Sequence, residues 1–128
     1  MNPEDFNNIV CVIDDDELVR AAVCNFLNEA GFRTVDAGDG EAGMTLIERH
    51  TPCLIVTDIM MPKREGIETL REAKRRFPAI PVLAMSGSGK EGPANFLGMA
   101  HKLGADACLE KPFEKAAFLA CVDTLVKG

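Results

Sequence analysis

Short apolar segments alternate along the chain with longer segments in which apolar residues recur every three to four positions. The short segments predict β-strands, and the first, third and fourth are apolar nearly throughout, which is typical of strands covered on both faces. The longer segments predict amphipathic helices that each bury one stripe of their surface. The predicted strands are Ile9–Ile13, Arg33–Ala37, Cys53–Thr57, Val82–Met85 and Ala107–Leu109.

Local signals at the segment ends place helices after these strands. An aspartate precedes the first helix as a cap, Gly31 follows it, and Pro52 and Pro78 follow the second and third. The predicted helices are about 17–30, 41–50, 67–77, 93–103 and 114–126. Alternation of strand and helix with short connections indicates an α/β fold, a doubly wound (βα)5 arrangement around a five-stranded parallel sheet.

Length and charge narrow the function classes. The chain has 128 residues, so we expect a single domain over 1–128 with its core at about 9–126. The net charge of −6 argues against nucleic-acid binding, and we interpret the basic run Lys74-Arg75-Arg76 as a solvated helix face. No apolar segment reaches the roughly 18 residues of a membrane span, and the acidic N-terminus is unlike a signal peptide. We therefore expect a cytoplasmic protein without membrane insertion.

The cysteine pattern indicates packing rather than chemistry. The five cysteines are an odd number, no two are spaced as CxxC, and each stands among apolar neighbours. Small core residues in a reducing compartment have this pattern, whereas disulfide frameworks and zinc sites do not.

Polar side chains follow four of the five predicted strands. In a parallel sheet of this kind the ligand site lies beyond the carboxyl ends of the strands. The residues found there are Asp14, Asp15, Asp16, Asp58, Ser86 and Lys111. Because like charges so close together disfavour ionisation, three consecutive aspartates favour a bound divalent cation such as Mg²⁺. We assign Asp16 to capping of the first helix, while Asp14 and Asp15 should meet Asp58 at the same sheet edge.

These groups suit phosphoryl transfer. A carboxylate beside a metal, here Asp58, can attack phosphorus and form an acyl phosphate. Lys111 supplies a positive charge and Ser86 a hydroxyl donor. Pro112 biases the preceding lysine toward an extended conformation and makes a cis peptide possible, and either would aim the amine at the site.

Four motifs carry a family resemblance. They are Val-Ile-Asp-Asp-Asp-Glu at 12–17, Val-Thr-Asp-Ile-Met-Met-Pro at 56–62, Val-Leu-Ala-Met-Ser-Gly at 82–87 and Lys-Pro-Phe at 111–113. With these four motifs in this order, the chain resembles the receiver domain of response regulators in two-component signalling over residues 9–126. The resemblance implies a flavodoxin-like receiver fold, and chains of this length in the family usually lack an output domain. The absence of a linker at 126–128 favours a stand-alone protein.

The resemblance also implies roles in phosphoryl transfer. Asp58 would be the phosphoacceptor, taking the phosphoryl group from a sensor histidine kinase or a histidine phosphotransfer protein. Ser86 would be the switch hydroxyl and Lys111 the lysine that pairs with the phosphoryl group. Such a domain catalyses only its own phosphorylation and dephosphorylation, so it is not a turnover enzyme.

The same resemblance implies Mg²⁺ as the cofactor. Asp15 and Asp58 would be direct ligands, the backbone carbonyl of Met60 a third, and Asp14 would assist through a water molecule.

Three features depart from the usual receiver pattern. Cys108 stands three residues before Lys111, where many receivers carry an aromatic residue, so Cys108→Tyr is expected to change partner affinity. The glycine-rich segment 86–93 suggests mobility. We expect it to move with the helix at 93–103 on phosphorylation, and a downstream protein to dock on the face formed by that helix, the fifth strand and the last helix. Phe96, Leu97 and Met99 make the helix apolar enough either for such docking or for ordinary packing.

Three other functions are alternatives to the receiver interpretation, and the sequence excludes one of them. Asp14 and Asp16 resemble the Asp-x-Asp nucleophile motif of haloacid-dehalogenase-type phosphohydrolases, although no acidic pair follows Lys111 to complete that metal site. A P-loop at 86–90 is excluded, because Ala84 stands where glycine is required and Glu91 where Ser or Thr is required. A pseudo-receiver that is only a binding scaffold is the third alternative.

Overall fold

The computed structural model describes residues 7–59, 65–87, 101–102 and 104–127. Within these residues five strands form one sheet, in the order β2-β1-β3-β4-β5 with every neighbouring pair parallel. The strands are β1 (Ile9–Ile13), β2 (Arg33–Ala37), β3 (Leu54–Asp58), β4 (Val82–Ser86) and β5 (Ala107–Glu110). The predicted parallel sheet is confirmed, and each predicted strand end is within one residue of the observed end.

The described helices agree with the predicted ones to within two residues at each end. They are α1 (Glu17–Glu29), α2 (Gly40–His50), α3 (Glu65–Arg76) and α4 (Lys115–Lys127). Most of the helix predicted at 93–103 lies outside the described residues. The two of its residues that are described, His101 and Lys102, are helical. No helix in the described part of the chain has the length and apolar character needed to cross a membrane.

The ends of α1 follow the sequence signals. Asp16 caps the helix, its Oδ1 accepting hydrogen bonds from the backbone N–H groups of Leu18 and Val19 at 2.9 and 3.3 Å. The helix ends at Ala30, and Gly31 follows with a φ of +97°, a conformation that glycine adopts without steric cost. The capping role assigned to Asp16 from the sequence is therefore confirmed.

Alternate residues of the central strands contribute to two core layers. On β1, Val10 and Val12 pack with Val23 of α1 and Phe118 of α4. The intervening residues of β1 belong to the other layer, together with Met44 and Ile47 of α2 and Leu70 of α3. Since helices cover both faces of the sheet, β1, β3 and β4 are buried almost throughout, as their apolar sequences predict.

The basic run on α3 is less solvated than the sequence suggests. The Lys74 side chain is only 18% exposed, and its amine lies 3.0 Å from Asp106 Oδ2. Arg75 is exposed, and Arg76 is exposed but ion-paired with Glu48. The expectation of a solvated face is therefore wrong for Lys74, because a contact distant in sequence covers it.

Candidate functional site

The candidate site lies where the strand order reverses. From β1 the chain proceeds to β2 on one side, whereas β3 pairs with β1 on the other side. Helices after β1 and β3 therefore leave toward opposite faces, which opens a crevice at the carboxyl ends of these two strands. Ile13 pairs with Thr57, so the next residues, Asp14 and Asp58, reach the crevice side by side.

Among the described residues, Asp14, Asp15 and Asp58 form a carboxylate cluster. One oxygen of each carboxylate lies within 4.8 Å of the others. Asp14 is completely buried and Asp58 is 5% exposed, whereas Asp15 is exposed. The Asp14 carboxylate is fixed from its own loop, because its Oδ1 accepts a hydrogen bond from the Asp16 N–H at 2.9 Å.

Lys111 brings a positive charge to this cluster. Its Nζ lies 2.8 Å from Asp14 Oδ2 and 3.3 Å from Asp58 Oδ2. The Lys111–Pro112 peptide bond is cis. Burial lowers the pKa of Lys111, but the hydrogen bond to Asp14 and the charges of Asp58 and Asp14 outweigh it and raise the pKa above its usual range. Lys111 is therefore an ammonium ion throughout the neutral pH range.

Ser86 lies at the same edge of the sheet. It is the last residue of β4 and is buried, and its Oγ donates a hydrogen bond to the Gly87 carbonyl at 3.2 Å. The Ser86 carbonyl accepts a hydrogen bond from the Lys111 N–H at 2.6 Å, which ties the end of β4 to the loop after β5. Met60, whose carbonyl the resemblance assigns to the metal, lies outside the described residues.

The donor set suits a hard divalent cation. Three carboxylates lie together, and one ammonium ion contacts two of them, which leaves an excess of negative charge at the site. Carboxylate oxygens are the ligands that Mg²⁺ and Ca²⁺ prefer, and a divalent ion would offset their mutual repulsion.

An apolar groove of about 410 Å³ opens beside Lys111. Its walls come from α1 and from the loop between β5 and α4. The lining residues are Val19, Ala22, Val23, Phe26, Gly87, Lys111, Pro112 and Phe113. Leu18, in the first turn of α1, is 82% exposed.

The sequence reasoning missed two residues that support the site. Arg20 on α1 donates from Nη1 to the Asp14 carbonyl oxygen at 2.8 Å. Gly66 on α3 packs so closely that a Cβ there would lie 2.2 Å from the carbonyl oxygen of Asp58. An isolated glycine in a helical pattern is a signal of close backbone approach, and could have identified Gly66. No local pattern marks Arg20.

Cys108 occupies the position where the receiver resemblance implies an aromatic residue. It is half-buried in β5 and packs against the core layer that also contains α2 and α3. The effect of Cys108→Tyr on partner affinity stays a prediction.

Comparison with known proteins identifies response regulators as relatives of this chain. The family model described as the response regulator receiver domain matches residues 10–123. The transcriptional regulatory protein PhoP of Bacillus subtilis, which is assigned to alkaline phosphatase synthesis, is 31% identical over 121 residues, covering 94% of this chain and 49% of PhoP. PdtaR of Mycobacterium tuberculosis is 32% identical over 120 residues, covering 91% of this chain and 56% of PdtaR.

A solved structure gives the same result. The receiver domain of NtrX from Brucella abortus superposes with a TM-score of 0.86 at 27% identity, covering 92% of this chain and 98% of that domain. The chain belongs to the response regulator receiver domain family. It spans about half the length of the curated relatives it matches.

Family membership confirms several predictions. The receiver resemblance and the α/β flavodoxin-like fold are confirmed, and receiver domains are signalling modules of two-component systems that pair with histidine kinases. Receiver domains bind Mg²⁺ at an acidic pocket, and Asp14, Asp15 and Asp58 form such a pocket here. The dehalogenase alternative receives no support, since the matches are to receivers and Asp16 caps α1.

Proposed function

We propose that this chain is a phosphoacceptor module that takes a phosphoryl group onto Asp58 and then regulates a partner or passes the group on. The supporting observation is the placement of Asp58 at the crevice between β1 and β3, with its Oδ2 3.3 Å from Lys111 Nζ and its carboxylate in the Asp14–Asp15 cluster. The proposed unit is a single receiver domain over 1–128, and the proposed compartment is the cytoplasm.

The phosphoryl donor in this proposal is a phosphohistidine of a sensor kinase or a histidine phosphotransfer protein. An oxygen of Asp58 forms a bond to phosphorus while the bond between phosphorus and the imidazole nitrogen breaks, and the departing imidazole takes up a proton. Lys111 neutralises charge on a phosphoryl oxygen, and the Ser86 hydroxyl donates to another. In hydrolysis, water attacks phosphorus and the bond between phosphorus and the Asp58 oxygen breaks. Inorganic phosphate is released and Asp58 returns to the free carboxylate. The domain thus catalyses only its own phosphorylation and dephosphorylation.

The proposed cofactor is Mg²⁺. Asp15 and Asp58 would hold it directly, the Met60 carbonyl would be a further ligand, and Asp14 would contact it through water. When bound, the ion supplies charge neutralisation between the carboxylate nucleophile and the phosphoryl oxygens. Asp14 is suited to the indirect role because its own oxygens already accept from the Asp16 N–H and from Lys111.

The apolar groove beside Lys111 is the proposed docking place of the donor protein. It joins α1 to the loop that carries Lys111, so a protein seated there would bring its imidazole close to the cluster. The exposed Leu18 extends the apolar surface at the start of α1. Apolar contact surrounded by charged residues is the usual composition of a transient protein interface.

Signalling follows from the added charge. An acyl phosphate carries about −1.5 to −2 units of charge in place of the single negative charge of the carboxylate, and it brings several acceptor oxygens close to Ser86 and Lys111. We propose that Ser86 moves toward it and shifts the segment after β4, including the helix predicted at 93–103. The downstream protein would read that shift on the face formed by this helix, β5 and α4. Neither nucleic-acid binding nor membrane insertion is part of the proposal.

The test is incubation of the purified chain with Mg²⁺ and phosphoramidate, which has a phosphorus–nitrogen bond like that of phosphohistidine, followed by intact mass measurement. Wild type should gain one phosphoryl group, Asp58→Asn none, and the matched control Asp123→Asn the same as wild type, since Asp123 is exposed on α4. An equal adduct on Asp58→Asn contradicts the proposal. Loss on Asp14→Asn with retention on Asp58→Asn would favour the dehalogenase alternative. No adduct on wild type would favour the scaffold.

A further inference from the structure

The Arg20 side chain bridges three elements next to the candidate site. Its Nη1 donates to the Asp14 carbonyl oxygen at 2.8 Å, and its Nε donates to Asp36 Oδ2 at 2.8 Å. Its Nη2 lies 3.9 Å from Glu17 Oε1. The side chain is only 18% exposed. The guanidinium therefore joins α1 to the loop after β1 and to β2, with donors directed at two acceptors from different elements.

The position of this guanidinium is constrained from the side of β2. Asp36 belongs to β2, where it pairs in register with Val12 of β1, so its backbone is held by the sheet. Gly38 follows the strand, and a Cβ at that position would lie 3.1 Å from Arg20 Nη1. Packing and two hydrogen bonds thus place the guanidinium, and a planar fork of donors suits this bridging better than an ammonium group.

The bond to the Asp14 carbonyl has a consequence for Asp15. The carbonyl of Asp14 and the N–H of Asp15 belong to one planar peptide unit. A hydrogen bond to that carbonyl therefore restrains the orientation of the whole peptide, including the backbone that carries the Asp15 side chain. The Asp14 carboxylate is already fixed by the Asp16 N–H and by Lys111. Asp15 is exposed and is not fixed by burial, although its carboxylate belongs to the cluster with Asp14 and Asp58.

We propose that Arg20 is a positioning residue for the cation site: by holding the peptide between Asp14 and Asp15, it directs the Asp15 carboxylate toward Asp58. The inference rests on the proposed function in one respect, namely that Mg²⁺ binds this cluster. Loss of a group that orients the ligands of a metal typically weakens metal binding by about 10-fold to 100-fold.

The sign of the effect separates positioning from electrostatics. Arg20 is a cation near a cation site, so loss of its charge would by Coulomb's law strengthen Mg²⁺ binding. If Arg20 instead restrains the Asp14–Asp15 peptide, its loss weakens binding. The two explanations therefore predict opposite changes of Kd for the same substitution.

The experiment is a titration of the ¹⁵N-labelled full chain with MgCl₂ at constant ionic strength, followed by amide NMR. Arg20→Met is expected to raise the Mg²⁺ Kd about tenfold. Arg20→Lys, which keeps the charge but not the fork, should also raise it. Arg49→Met, the same change at an exposed arginine on α2, should leave it unchanged. Before Mg²⁺ is added, amide shifts in Arg20→Met should stay confined to the N-terminal half of α1, the loop after β1 and the neighbouring end of β2.

The outcomes discriminate clearly. A Kd for Arg20→Met equal to or below that of wild type overturns the inference, as do amide shifts spread over the whole sheet, which would indicate general loosening. If Arg20→Met does not fold, Arg20→Lys decides, and a wild-type Kd for that variant overturns the inference. Failure of wild type itself to bind Mg²⁺ contradicts the proposed function instead.

Discussion

Cys11 lies in the middle of β1, completely buried between the sheet and the helices that cover it. Burial, with smaller contributions from the charges of Asp36 and Cys24, raises the pKa of the Cys11 thiol to about 12. Burial also raises the pKa values of Cys24, Cys53 and Cys108. None of the five cysteines is disulfide-bonded. At this scale the cysteines are packing residues, as their apolar neighbours in the sequence indicate.

The raised pKa of Cys11 predicts a loss of stability at alkaline pH. The folded state keeps the thiol proton to about pH 12, whereas the unfolded state releases it near pH 9. The stabilising contribution is complete below pH 9 and is lost as the pH rises toward 12, with a slope on the order of 1 kcal/mol per pH unit. Urea unfolding between pH 7 and 11 should show a steeper decline of the free energy of unfolding for wild type than for Cys11→Val. Parallel declines would contradict this.

At the scale of elements, α3 determines how the end of β3 is held. Gly66 sits in the first turn of α3, and a Cβ there would lie 2.2 Å from the Asp58 carbonyl oxygen and 2.6 Å from the Ile59 Cα. Gly43 on α2 is also closely packed, but its Cβ would meet the Ile13 side chain, with Cδ1 at 2.4 Å. Backbone atoms cannot move aside as the end of a side chain can. A larger residue should therefore be tolerated better at Gly43 than at Gly66.

Gly66→Ala is therefore expected to destabilise the fold and disturb the acceptor. Alanine favours helix by up to about 1 kcal/mol over glycine, but overpacking against backbone costs about 1–3 kcal/mol and should prevail. Urea unfolding should show a lower free energy of unfolding for Gly66→Ala and a smaller loss for Gly43→Ala. Of the two folded variants, only Gly66→Ala should be phosphorylated more slowly at Asp58. A Gly66→Ala variant as stable and as reactive as wild type would refute the close contact.

At the scale of the whole molecule, the two ends of the strands differ in function: the carboxyl ends carry the candidate site and the amino ends carry contacts that stabilise the fold. The carboxyl edge carries the acidic cluster and Lys111, whose charges are incompletely balanced. At the opposite edge, Lys74 Nζ donates to the carbonyls of Pro78 and Ile80 at 3.2 and 3.1 Å and to Asp106 Oδ2 at 3.0 Å. That carboxylate oxygen also accepts from the Val82 N–H at 2.8 Å. Lys74 thus ties α3 to the starts of β4 and β5.

Removal of this tie should reduce stability and leave the chemistry intact. Lys74→Met leaves two carbonyls and a carboxylate without their charged donor, and partial exposure limits the loss to about 1–2 kcal/mol. Arg75→Met is the control, because Arg75 is exposed on the same helix turn. Urea unfolding should show the loss for Lys74→Met only, with equal phosphorylation of both folded variants. A loss of the same size for Arg75→Met would show that charge on α3, rather than the tie, is responsible.

Much of this fold could be predicted from local pattern. The apolar run at 53–56 predicts β3, and Asp16 and Gly31 predict the ends of α1, because each signal acts within a few residues. The position of Asp14, Asp15, Asp58, Ser86 and Lys111 at one edge could also be predicted, since parallel strands share their carboxyl edge. The sequence could not reveal that Lys74 is covered, because its partner Asp106 is 32 residues away.

By itself, then, the sequence determined which segments are strands and helices and which polar residues end the strands. Only the tertiary structure decided how those residues pair: that Lys111 reaches Asp14 across 97 residues as well as Asp58, that Arg20 holds the Asp14 carbonyl, and that α3 contacts the Asp58 backbone through Gly66. The physical reason is that secondary structure depends on interactions between near neighbours in the chain. Side-chain pairing depends instead on strand order and on the angle at which helices pack.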